Sequence, residues 1–112
     1  MRAREASWGE RSYGSTMVIG VSRLAIEIPS AHSLKEKRKV IKSIIQQVQH
    51  RFNVAIAEVD GHTQWQYAEL GIACVSTSAQ HADEMLRRVL QYIEEHLSDG
   101  YLVDYQTEII HL

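Results

Sequence analysis

The hydrophobic periodicity of residues 17–110 changes between two kinds in a fixed order, and this order constrains the fold more than any other feature. Apolar residues recur at every second position where a strand is predicted, and at every third or fourth position where a helix is predicted. The six segments have the order strand, helix, strand, strand, helix, strand. A chain of 112 residues suffices for one modest core, so we expect a single domain over residues 17–112.

Segment boundaries follow from the two periods and from turn residues. Strands are predicted over residues 17–28, 52–60, 65–76 and 101–110, and helices over residues 34–52 and about 80–97. Pro29 ends the first strand because it has no amide proton for the ladder. Asp60 and Gly61 begin the turn between the second and third strands, since glycine accepts the positive φ that a hairpin turn requires.

The order βαββαβ predicts an α+β fold of the ferredoxin-like kind. Right-handed crossovers place the first strand between the third and the fourth. The result is a four-stranded antiparallel sheet in the order 4-1-3-2, with two helices on one face. The opposite face must then meet solvent, a ligand or a partner.

The first strand carries apolar residues of both parities. Ile19 and Val21 have the opposite parity to Leu24 and Ile26. Either both faces of the strand are partly covered at its start, or a bulge near Ser22 shifts the phase of the alternation.

Charge is distributed unevenly along the chain, although the net charge is only −2. Residues 34–52 carry six Lys/Arg and one Glu, whereas residues 53–112 carry two Arg and ten Asp/Glu. With a net charge of −2, the protein is not a polycation that would bind nucleic acid over its whole surface. A polarised charge distribution nevertheless steers association with charged partners.

Cysteine use and hydropathy point to the cytoplasm. Cys74 is the single cysteine, which excludes an intramolecular disulfide, and its place on the apolar face of a strand predicts an inert core residue. No apolar run approaches the ~20 residues of a membrane span, so we expect no membrane partner. Residues 1–16 lack hydrophobic periodicity and are interpreted as a flexible N-terminal extension, with Met17 as an alternative start.

The stretch HSLKEKRKVIKSI, residues 32–44, begins the first helix. Ser33 and Glu36 have the spacing of a capping box, in which each side chain accepts a hydrogen bond from the other residue's backbone amide. Positive charge is unfavourable near a helix N-terminus, by about 0.3–1 kcal/mol per charge at low salt. This helix nevertheless begins with a cluster of cations, which are Lys35, Lys37, Arg38, Lys39 and Lys42.

Helical spacing separates these cations. One flank carries Lys35, Lys39 and Lys42, while Arg38 lies at the edge of the apolar stripe. Lys37 falls within the stripe, and we expect its ammonium to emerge past the end of the sheet. Cations that gather at a helix N-terminus without enough acidic neighbours in the sequence to balance them indicate a functional site. We therefore predict that all five bind an anion or nucleic-acid phosphates, the alternative being a face that is solvated or balanced by carboxylates after folding.

Three stretches carry a resemblance to a known family: HSLKEKR, NVAIAEVD, and the WQ and A.LGIA pattern of residues 65–73. Over about residues 17–110 the chain resembles the YlxP-like family of small bacterial proteins. The resemblance implies a ferredoxin-like fold, and it brings no catalytic residue set because the members have no established function. Their genes often lie among genes for translation and ribosome maturation, which implies a connection with RNA or the ribosome.

Other uses of this fold match the residues poorly. RNA-recognition motifs stack bases on aromatic residues of the first and third strands. Trp65 and Tyr67 are predicted on the third strand, but the first strand has no aromatic residue, so dimer contact or hairpin packing is the alternative for them. An acylphosphatase would need a Gly-rich, Arg-bearing loop where this chain has PSAHS. Glu58, Asp60 and His62 surround the hairpin turn and are candidate ligands for a metal ion, but turn formation already accounts for Asp60.

We therefore expect no metal site, no cofactor and no catalytic site. The sequence favours a small non-enzymatic protein that contacts RNA or a ribosomal particle through its first helix. Two alternatives stay open. One is a homo-oligomeric interaction module, such as a homodimer that uses the open sheet face, and the other is a regulatory domain that binds a small anion.

Overall fold

The structure is a computed structural model that describes residues 16–112, so the predicted N-terminal extension lies outside the described residues except for Thr16. The elements in chain order are β1 Val18–Glu27, α1 Leu34–Arg51, β2 Ala55–Asp60, β3 Tyr67–Ser76, α2 Ala79–His96 and β4 Tyr101–His111. All six predicted elements are confirmed. The largest difference is at β2, which begins at Ala55 and not at residue 52.

The four strands form one antiparallel sheet in the order β2-β3-β1-β4, which is the predicted order viewed from the other edge. Both helices pack on the same face, α1 near β2 and α2 across β1, β3 and β4. The ferredoxin-like fold is thus confirmed. The other face of the sheet, here called the open face, is covered by neither helix.

The register of β1 decides which residues face the helices. β1 pairs with β3 along its whole length without a shift, so the bulge considered near Ser22 is absent. Ile19 and Val21 lie on the open face, where they are half-buried. Both faces of β1 are therefore partly covered at its start, which is the alternative to a bulge that the sequence left open. Ser22 itself is buried, and its hydroxyl lies 2.7 Å from that of Thr107.

The irregularity in the sheet lies in the pairing of β1 with β4. Ala25 faces Asp104, whereas the next residue, Ile26, faces Leu102, so that Val103 is left over as an extra residue. This bulge returns Leu102 to the helix side, where it packs against the core.

The core fills the space between the sheet and the apolar sides of the two helices. Its fully buried members include Val18, Leu24, Ile26, Ile44, Val48, Leu70, Leu86, Val89 and Ile93. The predicted core position of Cys74 is confirmed, and its burial raises the pKa of the thiol, which disfavours the reactive thiolate. In the described part of the chain, neither helix is long and apolar enough to cross a membrane.

α2 approaches the backbone of β1 closely at Gly20. A Cβ placed there would lie 2.9 Å from Leu86 Cδ1 and 3.2 Å from the Ala82 Cβ. Both neighbours are buried, so neither can move into solvent. The missing side chain at position 20 therefore sets the distance between this helix and the sheet.

Replacing Gly20 by valine is expected to lower the free energy of unfolding by about 1–3 kcal/mol, because the added side chain must displace Leu86 and Ala82 in a filled core. Urea denaturation followed by circular dichroism measures the change. The matched control is Ala25→Val, which enlarges a residue of the same strand on the open face. Equal stability of the Gly20 and Ala25 variants would contradict the close approach.

Candidate nucleic-acid interface

α1 begins at the predicted residue, but one bond of its cap differs from the prediction. Ser33 is the N-cap, and its hydroxyl accepts a hydrogen bond from the Glu36 amide at 3.1 Å. The capping box predicts that the Glu36 carboxylate accepts from the Ser33 amide, whereas it accepts from the His32 amide at 2.9 Å. The serine half of the box is thus confirmed, and the glutamate half is shifted by one residue.

Lys37 does not belong to the surface that the sequence predicts. Its side chain has an exposed fraction of 0%. Its Nζ donates to Glu58 Oε2 at 3.0 Å, to the Gly61 carbonyl at 2.6 Å and to the Tyr67 carbonyl at 3.2 Å. All three donors of the ammonium are used inside the protein. The prediction that Lys37 binds phosphate is therefore wrong, because the β2–β3 connection closes over it.

The β2–β3 connection supplies the acceptors for Lys37. Gly61 has a φ of 82°, as the turn chemistry predicts, and a Cβ there would lie 3.0 Å from the Tyr67 carbonyl oxygen. Asp60 accepts a hydrogen bond from the Gly61 amide at 2.7 Å, which fixes the start of the turn. The sequence contained one signal for this arrangement, since a lysine inside an apolar stripe requires buried acceptors.

Two of the three candidate metal ligands of the hairpin already have other partners. Glu58 is bound by Lys37, and Asp60 by the backbone of the turn. Among the residues that the structure describes, no group of three or more His, Cys, Asp or Glu side chains comes together as a metal site.

Replacing Lys37 by methionine is expected to lower the free energy of unfolding by about 3 kcal/mol, because Glu58 and two carbonyls lose their partner inside the protein. Glu58 keeps an exposed fraction of 16%, which places the loss at the lower end of the range for buried pairs. Thermal and urea unfolding measure it.

The double variant Lys37→Met/Glu58→Leu is expected to recover part of the loss, because it leaves no unpaired charge inside the protein. A Lys37→Met protein as stable as the wild type would show that the buried ammonium does not hold the hairpin.

The other four cations form one exposed patch, here called the basic surface, which consists of Lys35, Arg38, Lys39 and Lys42. Helical geometry places them within an arc of about 100° and within about 10 Å along the axis. Within residues 16–112, none of the four takes part in a salt bridge. The sequence leaves open the alternative that folding brings a carboxylate near these cations. Among the residues that the structure describes, this applies to Lys37 and not to the other four.

The remaining exposed positions of α1 add hydrogen-bonding groups without negative charge. They are Ser43, Gln46, Gln49, His50 and Arg51. Glu36 is the single acidic residue of this helix, and its carboxylate binds the His32 amide. The outward side of α1 therefore offers donors and positive charge along its whole length.

A groove of about 470 Å³ separates the start of α1 from the end of α2. Lys39 lines it together with Glu36 and Asp99. Two carboxylates beside one ammonium disfavour a small anionic ligand here. The basic surface is thus suited to contacts on its outer side and not to an enclosed anion.

The open face of the sheet is divided into two halves. The half nearest the start of β1 is largely apolar, and three of its residues are 40–70% exposed, namely Met17, Val75 and Ile110. The other half is acidic, with Glu27, Asp60, Glu69 and Asp104 in neighbouring positions around Arg23. Arg23 pairs with Glu69 at 2.7 Å.

The two aromatic residues predicted on β3 lie in different environments. Tyr67 lies on β3, as predicted, and faces the open side of the sheet, whereas Trp65 lies in the preceding loop and is 55% exposed. Tyr67 donates a hydrogen bond to Glu69 at 2.7 Å, and Tyr101 donates to Glu27 at 3.0 Å. These bonds to carboxylates raise the pKa of both phenols, so both remain donors at neutral pH.

Residues 19–107 match a family described as "Protein of unknown function (DUF503)". The chain belongs to this family. It is also 43% identical over 77 residues to the uncharacterized protein YlxP of Bacillus subtilis (strain 168), and this match covers 69% of the chain and 84% of that protein. The resemblance to YlxP-like proteins is thereby confirmed, and the DUF503 family has no assigned activity to transfer.

Two designed proteins are similar among solved structures. The de novo designed protein Foldit4 is 15% identical with a TM-score of 0.47, and the match covers 82% of this chain and 96% of that one. The de novo designed protein LFR1 1, with a ferredoxin fold, is 17% identical with a TM-score of 0.41, and the match covers 84% and 83%. The fold of the DUF503 chain follows from its own strand order and helix placement.

Proposed function

We propose that this DUF503 protein is a non-enzymatic, cytoplasmic binding protein that contacts RNA, free or in a ribosomal particle, through the basic surface of α1. One observation carries the proposal: four exposed cations without a salt-bridge partner in residues 16–112 lie within two turns of one helix. Their mutual repulsion and the helix dipole both disfavour this cluster in the free protein. Phosphate groups would relieve both costs.

The charge of the rest of the molecule supports an oriented contact. Residues 53–112 carry ten acidic residues, so RNA is repelled from most of the surface. The basic surface is then the place where a phosphate backbone approaches. Contacts of this kind position a protein on RNA without reading its sequence.

Salt dependence gives the proposal a quantitative form. Each phosphate contact lowers the logarithm of the binding constant by about 0.7–0.9 per tenfold increase in salt. Four contacts therefore give a slope of about −3 to −4. Binding is expected to be clear at low salt and weak at high salt.

The variant Lys35/Lys39/Lys42→Gln is expected to bind a fluorescent RNA hairpin at least tenfold more weakly at low salt, with a slope reduced by about 2–3, because three phosphate contacts are lost. Fluorescence anisotropy at several salt concentrations measures both quantities. The substitutions leave Ser33, Glu36 and the buried Lys37 in place, so the helix start is preserved.

The matched control is Arg23/Arg87/Arg88→Gln, which removes three exposed cations from the open face and from α2. It is expected to keep most of the affinity and nearly the whole slope. If the two triple variants lost the same RNA affinity, the loss would follow from net charge alone, which would contradict binding at a specific surface. Cosedimentation with ribosomal subunits, with and without RNase, shows whether a particle is the target.

The apolar half of the open face supports a second candidate function, which is homodimerisation. At about 3.3 Å per residue and 4.8 Å per strand, this half covers roughly 300 Å² of each subunit. About 600 Å² in total lies below the range of stable interfaces, so a second copy would bind weakly. The two acidic halves repel one another, which restricts contact to the apolar halves.

Sedimentation velocity tests the dimer. The wild-type protein is expected to associate as its concentration rises from micromolar to millimolar, whereas Val75→Glu is expected to stay monomeric, because it places a charge at a position that is 70% exposed within the apolar half. Gln91→Glu adds the same charge on α2 as a control. A wild-type protein that is monomeric at millimolar concentration would exclude this candidate.

A further inference from the structure

A groove of about 700 Å³ lies at the end of the sheet where β1 ends and β3 and β4 begin. Three aromatic residues line it, Trp65, Tyr67 and Tyr101, together with Glu27 and Gln64. Trp65 is 55% exposed and Tyr101 is 51% exposed, so their rings are accessible to a ligand. Exposed rings give a planar ligand a surface on which to stack, and the neighbouring polar groups can form hydrogen bonds with its edge.

Hydrogen bonds fix the loop that carries Trp65. The Gln66 side-chain amide donates to the Pro29 carbonyl at 2.9 Å and to the Ala31 carbonyl at 3.0 Å. The Ile28 amide donates to the Gln66 carbonyl at 2.9 Å. These bonds fasten the loop to the segment that leads into α1, so the wall of the groove is formed before any ligand arrives.

The groove and the basic surface lie at the same end of the molecule. The Ala31 carbonyl, which accepts a hydrogen bond from the loop of the groove, precedes Lys35 by four residues. The carbonyl of Tyr67 accepts a hydrogen bond from Lys37 in the first turns of α1. The side chains of Glu27, Tyr67 and Tyr101 lie on the open face, so a strand whose phosphates contact α1 reaches the groove by passing around this end of the sheet.

We propose that this groove binds an unpaired nucleobase of the RNA that the basic surface holds, with the base stacked on Trp65 and Tyr101. This inference rests on the proposed function and narrows its partner to RNA with a single-stranded segment. Stacking of a base on an aromatic side chain changes affinity by roughly five- to 150-fold.

Glu27 gives the groove a preference among bases. Its Oε2 accepts a hydrogen bond from the Tyr101 hydroxyl at 3.0 Å, and its Oε1 has no hydrogen-bond donor within residues 16–112. A carboxylate accepts from an exocyclic amino group such as that of cytosine, whereas uracil presents a carbonyl at that position. The same charge repels phosphate, which keeps the backbone on α1 and leaves the base in the groove.

Fluorescence anisotropy with single-stranded oligocytidylate and with a fully paired RNA duplex tests the inference. Trp65→Ala is expected to weaken binding of the single strand at least fivefold and to leave duplex binding unchanged, because a duplex offers no unpaired base. Trp65→Phe keeps a ring and is expected to retain most of the affinity. Tyr105→Ala, which removes an aromatic residue that is 58% exposed elsewhere on the sheet, is the matched control.

A second comparison tests the role of Glu27. The wild-type protein is expected to bind oligocytidylate more tightly than oligouridylate, and Glu27→Gln is expected to reduce that ratio. An unchanged ratio would overturn the proposed preference, and unchanged single-strand affinity in Trp65→Ala would overturn the groove.

The two proposals fail in different ways. Suppose that Lys35/Lys39/Lys42→Gln no longer binds either the single strand or the duplex, while Trp65→Ala binds both like the wild type. The basic surface is then supported as the RNA-binding site, and the groove is excluded as a base-binding site. Suppose instead that free cytidine quenches the fluorescence of the wild-type protein but not that of Trp65→Phe, and that RNA binding is insensitive to the lysine substitutions. The groove is then supported as a base-binding site, and the proposed function of the basic surface is excluded.

Discussion

The buried ammonium of Lys37 is the interaction on which one end of this structure depends. It joins the first turns of α1 to Glu58 on β2 and to the carbonyls of Gly61 and Tyr67. Burial of a charge is costly unless every donor finds an acceptor, and here all three do. The loop that carries Trp65 lies between Gly61 and Tyr67, so this interaction also positions the aromatic groove.

The same interaction explains why five clustered cations have two different roles. Lys37 faces inward and is neutralised by Glu58 within the fold. The remaining four face outward and receive no such compensation within the described residues. Within the described residues, the unfavourable charge at the start of α1 is therefore only partly balanced by the protein itself, which is the basis for proposing a phosphate-bearing partner.

Membership of the DUF503 family adds a lineage but no activity, because the family is described as one of unknown function. The two faces of the domain offer different chemistry. The helix side presents cations, and the open face presents an apolar half and an acidic half. An arrangement of this kind suits a protein that binds one partner by charge on the helix side and leaves the apolar half of the open face available for a weak contact.

The sequence by itself determined the elements, their order and the Ser33 cap, because periodicity and capping depend on residues within a few positions of one another. Only the tertiary structure decided that Lys37 is buried against Glu58, 21 residues away, and that Tyr101 meets Glu27, 74 residues away. Helical spacing placed Lys37 at the apolar side but could not show what closes over it. Contacts between distant segments depend on how the chain packs, and no local pattern encodes them.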